Sequence, residues 1–254
     1  MIQLTTISKY LDKILELDKV PEDYSNNGLQ VQGVDKISKV LFAVDACSAV
    51  FEKAVQIEAQ MIFVHHGISW KNGFKYLTGR TAEILSILFK NDISLYAAHL
   101  PLDAHTSIGH NVLIAKLLGL KNTFSFANYC GINIGCAGIT KNNTTAPDAI
   151  IQKLEQSLNT NCNVYGIKKD ITKIGIISGG SGSEGIETAA AIGLDCLITG
   201  EVGHSSWHLI NELGIMVISC GHYKSEIPGV KAVMNNIKEK FKLNCEFVDF
   251  PTGL

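Results

Sequence analysis

Residues 61–70 read MIFVHHGISW, and no other stretch limits the fold of this chain as strongly. Its first four residues form an unbroken apolar run, the pattern of a strand buried on both faces in a parallel sheet. The run ends in His65, His66 and Gly67. Neighbours along a strand point to opposite faces, so both histidines serve one site only where the strand gives way to a turn, and Gly67 is read as permitting that turn. Open α/β sheets gather their ligands at the carboxyl ends of parallel strands. A histidine pair by itself is as readily a hydrogen-bonded core group; the rest of the chain decides between the two.

The chain opens with an amphipathic helix over 6–17, capped by Thr5 or Thr6, with Ile7, Tyr10, Leu11, Ile14 and Leu17 on one face. An Asn-Asn-Gly turn within residues 24–33 leads into a short strand. From Lys39 the pattern is strand 40–44, helix 49–59, strand 61–64, helix 81–90 and strand 93–98, which delivers His99 and Asp103 before a helix over 108–118 closes the half. The order then repeats: strand 174–178, helix 184–192, strand 196–199, helix 204–213 and strand 215–220, which delivers His222 and Glu226. His222 and Glu226 follow His99 and Asp103 at the same offset of 123 residues, so both halves place His-x-x-x-acid after a strand. A helix over 230–241 and a strand over 245–250 end the pattern.

Parallel neighbours need crossover connections, so these units predict an α/β fold of two similar lobes from an internal duplication, with mostly parallel sheets. The lobes are expected at 1–125, with 228–254 packing back on it, and at 126–227. A metal site is expected in the cleft between them, where strand ends from the two halves meet.

Charge and cysteine usage remove several function classes. The net charge is −2, and no Lys/Arg run points to nucleic acid as the main partner. Seven cysteines, widely spaced and without a C-x-x-C pair, read as reduced thiols. Signal-peptide features are missing from the first residues, and no apolar run approaches the ~18 residues a membrane span needs. The expectation is a soluble cytoplasmic protein without membrane contact.

His65, His66, His222, Asp103 and Glu226 form a hard-to-borderline donor set suited to Zn, Mn or Fe. Five side chains exceed what one tetrahedral zinc takes, whereas two divalent ions sharing a bridging carboxylate fit them, with Glu226 presenting one oxygen to each. Such pairs sit ~3.5–4 Å apart and acidify a water between them, which is hydrolytic chemistry.

The blocks NNGLQVQG, FVHHGISW, YAAHLPLDAH with GHN, LITGEVGHSSWH and VISCGHYKSEIPG closely resemble, in that order, the signature blocks of the NIF-three-like family, often described as GTP cyclohydrolase I type 2 homologues. The resemblance runs from about Tyr24 to Pro251. It implies a two-lobed α/β fold, a dinuclear metal site on the five residues just named, and a toroidal homohexamer with its sites facing the cavity. Where that family commonly has His-Thr-Asn-x-Asp, this chain has His99-Leu100-Pro101-Leu102-Asp103, and it is too short for the domain many members insert between the lobes.

Other residues are read more locally. His99 is a group that orients a ligand, or a ligand itself; Glu201 and His204, in GEVGH, form a candidate proton shuttle; His204 and His208 lie four apart on one helix. His99, Glu201, His204 and Glu226 are the candidate catalytic residues. Tyr223 and Lys224 are candidate contacts for an anionic substrate, and Asp45 is read as a loop cap. Gly180, Gly182 and Gly185 match G-x-G-x-x-G, but Glu184 and Glu187 would repel a pyrophosphate there, so close strand–helix packing is the better reading. The leading expectation is a dinuclear metal-dependent hydrolase of a small phosphorylated or nucleotide-like substrate. Two competing readings are a metal-binding hexameric ring that acts as a scaffold for proteins or nucleic acid, and a redox sensor using Cys220 beside His222.

Overall fold

A computed structural model describes residues 1–141, 144–167 and 169–254. In chain order the first elements are β1 (Ile2–Gln3), α1 (Leu4–Ile14), β2 (Gly28–Val31), β3 (Lys36–Ile37), β4 (Lys39–Asp45), α2 (Ser48–Gln56), β5 (Met61–His66), α3 (Gly79–Lys90), β6 (Ser94–Ala97), α4 (Leu100–Asp103) and α5 (His110–Leu118). There follow β7 (Lys121–Tyr129), β8 (Ile132–Ile139), α6 (Pro147–Leu158), β9 (Asn163–Tyr165), β10 (Lys173–Gly180), α7 (Gly182–Ala191), β11 (Cys196–Glu201), α8 (Ser206–Leu213), β12 (Met216–Ser219), α9 (His222–Phe241) and β13 (Asn244–Phe247). They divide into two compact units: Met1–Leu102 with Gly229–Phe250, and Asp103–Pro228 with Pro251–Leu254.

The first unit holds a sheet in the order β13-β4-β5-β6-β2. Its first three pairings are parallel, and β2 adds antiparallel to the edge. One face, with Leu41, Ala43, Ile62, Val64, Leu95 and Ala97, packs on Val50, Phe51 and Ala54 of α2 and Ile84, Leu85 and Leu88 of α3. On the other, Phe42, Phe63 and Tyr96 form a ladder with centroid spacings of 5.5 and 5.8 Å. The Tyr96 hydroxyl donates to Asp12 of α1 at 2.8 Å. Burial on both faces is what the unbroken apolar runs specify, and Phe63→Ala here costs about 3–5 kcal/mol.

The second unit holds a mixed sheet, β7-β8-β10-β11-β12-β9. Its core β10-β11-β12 is parallel, while the β7, β8 and β9 pairings are antiparallel. Ile174, Ile176, Cys196, Ile198, Met216 and Ile218 face Ile114 of α5 and Ile150 and Leu154 of α6. The alternate residues Ile177, Leu197 and Val217 face Ile186 and Ala189 of α7 and Ile210 of α8. Each unit therefore runs strand, helix, strand, helix, strand through a parallel core, the repeat read from the sequence.

Several local readings are corrected. The first helix begins at Leu4, not after a Thr5 or Thr6 cap, because β1 pairs with β3 and the Asp35 carbonyl accepts the Leu4 N–H at 2.8 Å. Residues 108–118 were expected to close the first lobe; α5 instead belongs to the second unit, where its apolar face seats on that unit's sheet. His204 lies in the turn before α8, so it does not share a helix with His208. The last helix starts at His222 and continues through Pro228, eight residues earlier than periodicity placed it.

Candidate functional site

In the first unit the site grows from the end of β5. Strand register sets Asp45 of β4 opposite His66, and the His66 Nδ1–H donates to the Asp45 carboxylate at 2.7 Å. His65 is fully buried, and its Nδ1 meets the Ala98 carbonyl at 2.8 Å. A carbonyl only accepts, so that nitrogen carries the proton, and in the neutral ring Nε2 is left with the lone pair. His99, just beyond β6, turns its Nδ1 to Asp23 at 2.9 Å. The ligating atoms of His65, His66 and His99 lie within 4.8 Å of one another. Both histidines of the pair thus face one cluster, although β5 extends through His66 and does not give way before it to the turn that the sequence reading expected.

Gly67 is needed for a different reason from that reading. Its φ is not positive; a Cβ there would run into the Gln30 amide and the Ala97 methyl. Close approach, rather than left-handed backbone, demands glycine. Trp70 donates its indole N–H to the Gly67 carbonyl at 2.9 Å and sets its ring 5.1 Å from His99 and 6.3 Å from His66.

Sequence reasoning did not find Asp23 and took Asp45 for a loop cap. Asp23 accepts from His99, Leu100 N, Asn27 Nδ2 and Ser25 N at 2.8–3.0 Å, and its side chain is 2% exposed. Burial pushes its carboxyl up, but the His99 bond and charge, together with Asn27 and Ser25, outweigh that and hold it below the usual carboxylate value.

In the second unit Asp103, at the end of α4, is buried. Ser178 Oγ donates to its carboxylate at 3.0 Å, and Asn111 donates to its backbone carbonyl at 3.3 Å while accepting from Ser178 N at 2.7 Å. His110, fully buried at the start of α5, brings a ring nitrogen within 4.8 Å of the Asp103 carboxylate; it was quoted in the GHN block but given no role.

His222 and Glu226 occupy successive turns of α9, with Nε2 3.2 Å from a Glu226 oxygen. Nδ1 of His222 lies 3.4 Å from Glu201, at the end of β11. The bond to Glu226, opposed by burial and reinforced by the charges of Glu226 and Glu201, pushes His222 up to about 9. Gly179 makes the room. Its φ is +63°, and a Cβ would strike the Glu226 carboxylate and lie 3.1 Å from His222 Nε2. Ser225 Oγ ties this turn together, accepting from Gly179 N at 2.9 Å and donating to the His222 carbonyl at 2.8 Å.

Four imidazoles, those of His65, His66, His99 and His222, therefore have Nδ1 turned to an oxygen, and Nε2 is the nitrogen each would give to a metal. That is how proteins orient histidines that ligate ions. The donor chemistry, and a glycine cradle that leaves space beside His222 and Glu226, fit divalent cations.

Other candidates fare differently. Glu201 stands at His222, while His204 is exposed and outside every ligand-type cluster among the described residues. Tyr223 is 3% exposed and sits in the core instead of offering itself to an anion. Gly185 packs where a Cβ would crowd Ser181 and Ile177 at 2.9 and 3.0 Å, in line with the packing reading of G-x-G-x-x-G. Cys220 is fully buried beside the Thr199 carbonyl, and burial with the nearby Cys162 pushes its thiol up to about 12. No helix among the described residues is long and apolar enough to cross a membrane.

The chain is similar to proteins of known sequence and structure along its whole length. It is 39% identical over 251 residues, 98% of either chain, to a Pyrococcus abyssi protein named GTP cyclohydrolase 1 type 2 homolog. An Archaeoglobus fulgidus protein of the same name is 37% identical over 100% of both chains. Among solved structures, TTHA1606 from Thermus thermophilus superposes with a TM-score of 0.88 at 34% identity, covering 100% of both chains. Reduced HcgD from Methanocaldococcus jannaschii gives 0.86 at 27% identity, covering 98% of both. The family model described as Duf34/NIF3 (NGG1p interacting factor 3) matches residues 2–252, and the chain belongs to that family.

Proposed function

We propose that this protein is a dinuclear metal-dependent hydrolase acting on a small phosphorylated or nucleotide-like substrate. His65, His66, Asp103, His222 and Glu226 are the proposed ligands of two divalent ions, with Glu226 shared between them. The observation that carries the reading is the common setting of the imidazoles, each with Nδ1 at a carbonyl or carboxylate oxygen. Two bound ions would supply Lewis acidity, acidifying water near neutral pH and neutralising phosphate charge.

The chain's own groups do the remaining work. Asp45 and the Ala98 carbonyl orient His66 and His65, and Glu201 does the same for His222. Ser178 holds one Asp103 oxygen. His99, backed by the buried Asp23, is the proposed group for taking or giving a proton beside the histidine pair. GTP enters the reading only through the relatives' printed name. A ring of six subunits in the cytoplasm belongs to the same proposal.

The test is a hydrolysis screen over nucleotides and phosphoesters, with Mn, Zn, Fe and Mg added back to chelator-treated protein. Turnover that tracks the added metal and is lost in Glu226→Ala supports the hydrolase. Metal uptake without turnover of any substrate overturns it in favour of the scaffold.

A further inference from the structure

From the end of the histidine strand into the first turn of α3, residues 67–82 carry Lys71, Lys75 and Arg80 and no Asp or Glu. All of 71–80 is exposed, including Phe74, Tyr76 and Leu77 at 39, 70 and 59%.

The root of this arm is firmly built. Gln30 accepts from Ile68 N and Ser69 N at 2.8 and 3.1 Å and donates to the Ser69 carbonyl at 3.2 Å, while Lys71 N donates to the Tyr24 carbonyl at 2.6 Å. Trp70, in the root, stands against His66 and His99. The tip has another character. Lys75 Nζ lies 5.5 Å from the Tyr76 ring, and Lys71 Nζ 4.8 Å from the Tyr24 ring. Among the described residues no carboxylate pairs with Lys71, Lys75 or Arg80.

Grouped, exposed apolar side chains mark a binding surface. Uncompensated positive charge argues against two copies of this face meeting across a two-fold axis, where like charges would oppose each other. The same charge suits phosphate, and exposed aromatic rings flanked by cations are platforms on which nucleobases stack. From Trp70 to Tyr76 the arm spans at most roughly 20 Å, so its tip stays within that reach of the tryptophan that stands against the histidines.

We propose that residues 71–80 are the recognition arm for a nucleotide: Lys71, Lys75 and Arg80 hold its phosphates, and Phe74 and Tyr76 stack its base. The proposal rests on the hydrolase reading for the fate of the nucleotide, but not for its binding.

Titration calorimetry with ATP, GTP, inorganic tripolyphosphate and a ten-residue oligothymidylate tests it, on the full chain with its metal content measured in parallel. Every substituted side chain is exposed, so the variants should fold as the parent does. F74A/Y76A should weaken ATP and GTP about tenfold and leave tripolyphosphate unchanged. K75A/R80A should weaken all three about tenfold and flatten the salt dependence. Metal content should be unchanged in both. Nucleotide affinity that ignores both double variants, or its absence in the parent, overturns the proposal. So does oligothymidylate binding tighter than nucleotide, which would make the arm a single-strand binder. Arm-dependent binding without turnover leaves the arm standing and removes the hydrolase; undiminished nucleotide turnover in both variants does the reverse.

Discussion

The Asp45 carboxylate lies 2.7 Å from Nδ1 of His66, on the neighbouring strand and in register with it. A short charge-assisted bond of this kind fixes the orientation of the ring and turns its Nε2 toward a metal ion. Asp45→Ala should keep the fold but lower metal affinity by about 10–100-fold, read by competition with a metal-sensitive dye. Asp45→Asn should lose less, because its amide oxygen still accepts. Equal affinity in all three proteins would show that Asp45 does not support the site.

Gly179 and Gly182 form a matched pair. Their φ angles are +63° and +60°, but only at Gly179 does an added Cβ meet anything within 4 Å. Gly179→Ala and Gly182→Ala should each lose roughly 1 kcal/mol of stability in urea through left-handed backbone strain. Gly179→Ala should lose more, and it alone should lower metal retention, because its methyl displaces Glu226. Matching losses of metal in the two variants would mean that strain, not the collision, is responsible.

In the metal-free chain His222 is raised to about 9 from an ordinary 6.5. Its protonation therefore contributes stability that is fully present below pH 6.5 and is lost as pH rises through 9. The unfolding midpoint of chelated wild type should fall across that window more steeply than that of His222→Gln. Metal must displace the same proton, so metal affinity should rise with pH up to about 9, with about one proton released per chain on loading at pH 7. Metal affinity that falls as pH rises would contradict the assignment of His222 as a ligand.

Cys220 has its thiol pushed up to about 12 by burial and by Cys162, so it stays protonated at pH 8. Ellman's reagent should not reach it in the native protein, and Cys220→Ser should keep its full metal content. Rapid native labelling at Cys220 would revive the redox reading.

The parallel cores were legible because their strands are buried on both faces, which writes unbroken apolar runs at 61–64, 196–198 and 215–218. The histidine pair and the two His-x-x-x-acid blocks were legible because each follows such a run. What the sequence hid was set by tertiary contact. Asp23 meets a histidine 76 residues away, and Asp45 one 21 residues away, so neither pairing leaves a local signal. The apolar periodicity starts the last helix only at Val230, whereas the helix begins at His222 and runs through Pro228, which as a rule interrupts a helix. His204 was drawn onto the helix because its spacing from His208 fits a turn, although the chain becomes helical only at Ser206. The antiparallel pairings of β7, β8 and β9 were hidden because these strands carry no long unbroken apolar run to announce them.

The central proposal is that Asp103 and Glu226 are metal ligands. Elemental analysis of protein purified without a chelating tag, for wild type, Asp103→Ala and Glu226→Ala, tests it most directly, with cooperative thermal unfolding confirming that each variant is folded. The account predicts about two divalent ions per wild-type chain and a clear loss in each folded variant. A wild-type chain without metal, or a full complement in both variants, would contradict it.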